Sequence, residues 1–209
     1  MWSTSSGRFL LQLNNSSPVI LNTFQDLGED LIKTKMKIVD QSLEDLINIA
    51  EDEVFEGNYQ QAYNLLQSGL YEEPGYPKLH YTLAWLFNYY SINKLRAERH
   101  YILTIKFDPE YEAAYSDLVD IHIDAKRYKY AKAILIRALT VESLDHVALH
   151  KKLGVVYEKL GDYVNAIREY RKAMMESTDN DDSAELKKDV KRIRMKRFKT
   201  IFRKWQPQS

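Results

Sequence analysis

His146 and His150 stand four residues apart, a spacing that on one helix face can hold a metal ion. No third histidine or carboxylate follows with matching periodicity, and His146 falls at a turn. The pair is therefore read as surface or interface residues. His80, His100 and His122 are scattered through the chain. The acidic runs Glu51–Asp52–Glu53 and Asp179 to Asp182 could supply paired carboxylates. Acid–base work, however, needs one carboxyl displaced by burial, and runs of this kind are solvated. There is no cysteine, which removes thiolate zinc sites, iron–sulfur clusters, thiol nucleophiles and disulfides. The seven glycines are isolated, so no glycine-rich phosphate loop is formed. Neither a GxSxG elbow nor an HExxH helix is present. The expectation is a protein without catalytic residues, cofactor or metal.

Charge is the more informative chemistry. The formal net charge of +0 hides an asymmetry: residues 187–204 carry +9 and the remainder −9. The basic segment is Lys187, Lys188, Lys191, Arg192, Arg194, Lys196, Arg197, Lys199, Arg203 and Lys204, opposed by Asp189 alone. Phe198, Phe202 and Trp205 are interleaved with it. Such a helix can cap a helical array with its cations in water. It can also lie on an anionic membrane, bind nucleic acid through phosphates or meet a protein partner.

The elements that would position these groups are set by an internal repeat, the feature to seek first. Four segments align: EGNYQQAYNLLQSGLYEEP, NKLRAERHYILTIKFDP, AKRYKYAKAILIRALTVES and KLGDYVNAIREYRKAMMEST. Their central alanines, Ala62, Ala97, Ala131 and Ala166, are spaced by 35, 34 and 35 residues. Seven residues on come Gly69, Thr104, Ala138 and Ala173, with Leu66, Tyr101, Leu135 or Tyr170 between. Residues three and four apart share a helix face. A small side chain at a crossing lets two helices approach to about 8–10 Å while the large neighbour fills the groove. HVALHKKLGVVYEKL shows the preceding helix most clearly, with Gly154 as its close-contact point and Gly161 as its left-handed cap. His122 takes the slot that Tyr157 takes later, so it is read as packing. Pro74 and Pro109 end the first two repeats, since proline cannot continue a helix.

With these residues the chain resembles the tetratricopeptide repeat family. The last repeat follows the pattern most fully, from Leu153 to Ala173; the first has Glu53 where the family prefers Tyr, and the second has Ala84 and Trp85 in place of a Leu–Gly pair. The resemblance implies an all-α right-handed superhelix of four helix–turn–helix repeats, at about 43–76, 78–111, 112–146 and 147–180, and a basic amphipathic capping helix over 183–205. It further implies a scaffold that binds a peptide or helical segment in a concave groove lined by the first helix of each repeat. Carried over residue by residue, the groove slots are Ile47, Glu51, Val54 and Phe55, then Thr82, Leu86, Tyr89 and Tyr90. The third and fourth repeats add Ser116, Asp120, Ile123 and Asp124, then Lys151, Val155, Glu158 and Lys159. The Lys, Asn and Arg set with which the chaperone-binding members clamp a C-terminal carboxylate is missing. What remains is an aromatic and apolar patch rimmed by acids, suited to an unidentified protein or peptide of basic character. The occupant could also be the chain's own basic tail, in cis or from another copy. An anionic membrane or nucleic-acid adaptor acting through that tail is the second reading.

Residues 1–35 read as a poorly ordered leader, with no helical stripe before about Gln25. SSPVILNTFQDL resembles the translated product of short intergenic repeats in some bacterial genomes, which would make Met36 the biological start and the source bacterial. The other reading is a flexible leader or a short helix over the first repeat. The apolar runs are too short for a membrane span, and Gln12, Asn14 and Asn15 break any signal-peptide core. A cytoplasmic protein is expected.

Overall fold

The computed structural model describes residues 18–91 and 93–205, with side chains from Lys37 to Arg203 except Ile92 and Asn180. Nine α-helices follow one another among them: α1 (Pro18–Phe55), α2 (Tyr59–Glu72), α3 (Pro77–Trp85), α4 (Lys94–Phe107), α5 (Glu112–Asp124), α6 (Tyr128–Ala138), α7 (His146–Lys159), α8 (Tyr163–Glu176) and α9 (Asn180–Trp205). A π-helical segment, Leu86–Tyr90, continues α3. The chain divides into two compact units, residues 1–46 and 47–209.

In the first unit, α1 is helical from Pro18 onward, where the sequence led us to expect a loop-like leader as far as residue 35. Proline presets φ for a first helical turn, and the Leu, Gln, Glu and Lys residues that follow are good helix formers. The WSTSSGR segment of that expected leader falls outside the described residues.

In the second unit, helices touch their neighbours in chain order. The hairpins α3–α4, α5–α6 and α7–α8 stack through α2–α3, α4–α5 and α6–α7 contacts, and α8 packs on α9. The four central alanines are all fully buried, as are Thr104, Ala138 and Ala173. Leu66, Tyr101, Leu135 and Tyr170 between them are buried too. The small–large–small pattern thus marks equivalent crossings. At one of them, a β-carbon on Gly154 would lie 2.9 Å from the Tyr170 ring.

Three of the hairpin turns use one left-handed residue. Gly57 (φ 86°) and Gly161 (φ 76°) supply it, and Lys126 (φ 57°) occupies the same slot in the third repeat. The amide after each reaches back over the helix end: Asn58 N–H donates to the Glu53 carbonyl, Arg127 to His122 and Asp162 to Tyr157, at 2.7–2.9 Å. That closes the helix C-terminus in a Schellman motif. Asn93, Asp145 and Asp162 cap α4, α7 and α8 by accepting from the amides of Arg96, Ala148 and Asn165.

Helix α9 begins at Asn180, three residues before the expected start, with Asp179 accepting the Asp181 amide at 2.8 Å. Leu186, Val190 and Ile193 join Ala166, Ile167, Tyr170 and Ala173 in one core. Ile201 and Phe202, further along the helix, are 56% and 54% exposed. The reason is length. The 26 residues of α9 span about 39 Å against about 21 Å for the 14 of α8, so the end of α9 outruns its support. No helix of the described residues is long and apolar enough to cross a membrane.

Candidate partner-binding face

The first helices of successive repeats are laced side by side. Tyr81 Oη donates to Asp117 at 3.1 Å, joining α3 to α5. Lys152 Nζ donates to Ser116 Oγ at 2.7 Å and to both Asp120 oxygens at 2.8 and 2.9 Å, joining α5 to α7. From α7, Lys151 reaches Asp182 at 3.1 Å, and Glu158 accepts from Arg192 and Lys196. Helix α9 therefore stands toward α7 as a fifth first helix would. Burial alone would raise the Glu158 carboxyl, but the hydrogen bonds from Arg192 and Lys196 outweigh it and hold the group below its ordinary value.

The face divides into an engaged half and an open half. Lys151 and Glu158 are tied to α9, so the tail meets this face in cis. The open half is aromatic: Phe55 lies edge-on to Trp85 with ring centroids 6.1 Å apart, Trp85 edge-on to Tyr90 at 4.9 Å, and Tyr90 beside Tyr59 at 5.4 Å. Phe55 is 74% exposed and Tyr89 56%. A cleft of about 230 Å3 opens among Glu51, Phe55, Tyr81, Thr82 and Trp85. Beside it α5 contributes Asp117, exposed Asp120 and exposed Asp124. Burial first, then Asp117 and Asp120, push the Tyr89 phenol above its ordinary value. Burial and Asp117 do the same, more strongly, to Tyr81. The smaller share that Asp117 and Asp120 add to these shifts reflects negative charge beside the cleft.

Four of the expected groove residues are buried: Ile47 fully, Val54 at 1% exposure, and Thr82 and Leu86 at 2% each, Thr82 touching the face only as lining of the cleft. For Leu86 the cause is a register shift. Leu83 precedes Ala97 by 14 residues, whereas Leu118 precedes Ala131, and Leu153 precedes Ala166, by 13. The extra residue is absorbed inside the first helix, where the Ser91 amide bonds to the Leu86 carbonyl, five residues back. Ahead of that insertion the matching slots are Tyr81 and Trp85, and Ala84 stands where Gly154 does. Past it, Tyr89 is exposed and Tyr90 packs against Trp85 and Tyr59. Tyr81 and Trp85 are the residues that sequence reasoning missed, and the 14-against-13 spacing was the signal that could have found them.

The histidines work within the framework. His146 Nε2 lies 3.0 Å from the Val141 carbonyl, which makes it a turn donor. Buried His150 pairs with buried Glu169 at 2.8 Å, and Lys172 joins them at 3.2 Å. His122 is buried, stacked on Tyr130 at 5.6 Å. No cluster of three metal-ligating side chains occurs among the described residues.

No protein-family model matches this chain, and no curated protein matches its sequence. Solved structures do. PilF of Pseudomonas aeruginosa is 18% identical with a TM-score of 0.57, over 82% of this chain and 79% of that one. MamA of Desulfovibrio magneticus RS-1 is 18% identical with a TM-score of 0.53, over 76% and 92%. The N-terminal domain of stress-induced protein-1 from C. elegans is 19% identical with a TM-score of 0.50, over 56% and 94%. These are tetratricopeptide-repeat proteins. Equivalent alanines at equivalent crossings, left-handed turns in one slot and this likeness make the chain a tetratricopeptide-type helical-repeat protein by fold.

Proposed function

We propose that the chain is a protein–protein interaction scaffold with no chemistry of its own, and that it takes a peptide or helical segment of a partner along the open half of its first-helix face. The observation that carries this is the row Phe55–Trp85–Tyr90 over a cleft, with Tyr89 flanked by acids. Exposed aromatic rings bury large area at little entropy cost and serve as anchors. The acids select the charge of the partner and speed its approach. The segment is therefore apolar at its centre and basic at its ends. Asp124, without a partner among the described residues, is one such acid.

Fluorescence anisotropy of labelled peptides tests this, with Leu/Phe anchors flanked by either Lys/Arg or Asp/Glu. The basic set should bind, and Phe55→Ala with Tyr89→Ala should weaken it about tenfold or more with an unchanged melting temperature. Preference for the acidic set would sink the proposal. A second reading, an adaptor working through the basic C-terminal helix, is favoured by the cations of α8 and α9.

A further inference from the structure

Between α8 and α9 lies a basic cleft. One part, about 590 Å3, is lined by Arg168 and Arg171 of α8 and by Arg194 and Arg197 of α9, among others. An adjoining part, about 570 Å3, shares Arg171 and Arg194 and adds Lys187 and Lys191. None of these six cations has an ion-pair or hydrogen-bond partner among the described residues. The contrast with their neighbours is sharp. Lys172 meets Glu169, Arg192 meets Asp189 and Glu158, and Lys196 meets Glu158. The side of α9 facing α7 is neutralised, and the side facing the cleft is not. Like charges three and four residues apart on a helix repel, so the arrangement costs stability until an anion fills it.

The rim of the cleft decides which anion. Val164 (48% exposed) and Met175 (83%) line it, and the overhanging end of α9 continues with Met195, Phe198, Ile201 and Phe202, each more than half exposed. Phe198 and Phe202 stack at 6.1 Å. Aliphatic and thioether side chains gain nothing from a phosphodiester strand, but they gain from the boundary between lipid headgroups and acyl chains. The geometry points to an anionic phospholipid surface as the ligand, its phosphates in the α8–α9 cleft and the exposed stripe of α9 in the interface. This rests on the second reading above. It adds α8, which makes half of the site, and chooses lipid over nucleic acid as the ligand.

Co-sedimentation of the full chain with vesicles tests it, comparing phosphatidylcholine alone with phosphatidylcholine containing phosphatidylserine. Uptake is expected on the anionic vesicles only, falling as salt shortens the Debye length from about 10 Å to about 3 Å. Each cation near an anionic leaflet adds about fivefold to partition, so Arg171→Gln with Arg194→Gln should lower it roughly twenty-five-fold. Phe198→Ser with Phe202→Ser should lower it as well and keep the wild-type melt, while the arginine pair should melt no lower than the wild type because it relieves like-charge repulsion. Absence of uptake by anionic vesicles overturns the inference. If duplex DNA is bound instead, lipid is wrong and the adaptor reading survives. If vesicles are bound but the Arg171/Arg194 pair changes nothing, the cleft is wrong and the tail alone acts. Salt-sensitive dimers without vesicle uptake would put a second copy in the cleft and overturn both.

Discussion

At Gly154 a β-carbon would meet the ring of Tyr170 at 2.9 Å, and that ring is itself 2% exposed. Alanine is the better helix former by about 1 kcal/mol, yet here it must push a wedged ring aside. Overpacking of this kind costs about 1–3 kcal/mol, so Gly154→Ala should be destabilising in urea melts. Adding Tyr170→Leu should recover part of the loss, and strictly additive effects would count against the contact. Lys126 presents the opposite case. It holds a left-handed conformation that its equivalents Gly57 and Gly161 hold without strain. Lys126→Gly should raise stability by roughly 1 kcal/mol, read as a higher melting temperature. A lower one would show that the exposed lysine makes a contact worth more than its strain.

Helices α3 and α4 are joined by a histidine pair. His80 Nε2 donates to the Pro74 carbonyl at 3.0 Å, which leaves its Nδ1 to accept from His100 Nδ1–H at 3.1 Å. Phe107 and Phe87 flank the two rings. Burial lowers both pKa values, and for His100, with the neighbouring His80 and Arg96 adding to it, the value falls from 6.5 to about 4. The unfolded chain therefore binds protons that the folded chain refuses as the pH drops below 6.5. Stability should decline steadily from pH 6.5 toward about 4, with His122, also lowered by its burial, acting in the same direction. Urea midpoints across that range should slope less in His100→Asn than in the wild type, and equal slopes would remove the pair from the account. The same α3 shows what a pattern can hide. Aligning repeats on Ala97 placed Leu86 on the open face, because nothing in the alanine spacing tells whether an extra residue enters before, within or after a helix. The π segment settles that by keeping Leu79, His80 and Leu83 in register with the core while turning Tyr81 and Trp85 outward.

In the second unit the described contacts join a helix to the next one or two along the chain, so damage should stay local. Removing residues 180–209 would bare Ala166, Ile167, Tyr170 and Ala173, now covered by Leu186, Val190 and Ile193. Uncovering Leu186 and Ile193, both fully buried, should cost several kcal/mol at about 1.5–3 kcal/mol each. Amide exchange should accelerate in α7 and α8 while α3 and α4 keep their protection, and the truncated chain should associate through the bared face. Uniform acceleration in all helices would show that the array unfolds as one block.

The repeat period, the helical class, the buried alanines and the glycine turns were legible in the residues alone. Helix packing selects side-chain size at fixed intervals, and that selection is written into the chain wherever two helices cross. The open half of the first-helix face was read only in part: Phe55, Tyr89 and the acids of α5 were named, but Tyr81 and Trp85 were hidden by the one-residue insertion that the 14-against-13 spacing signals. The pairing of Glu158 with α9, the overhang of Phe202 and the gathering of arginines from α8 and α9 were decided by tertiary structure. Each depends on how far one helix extends past another, and relative length in space is not a property of any single segment.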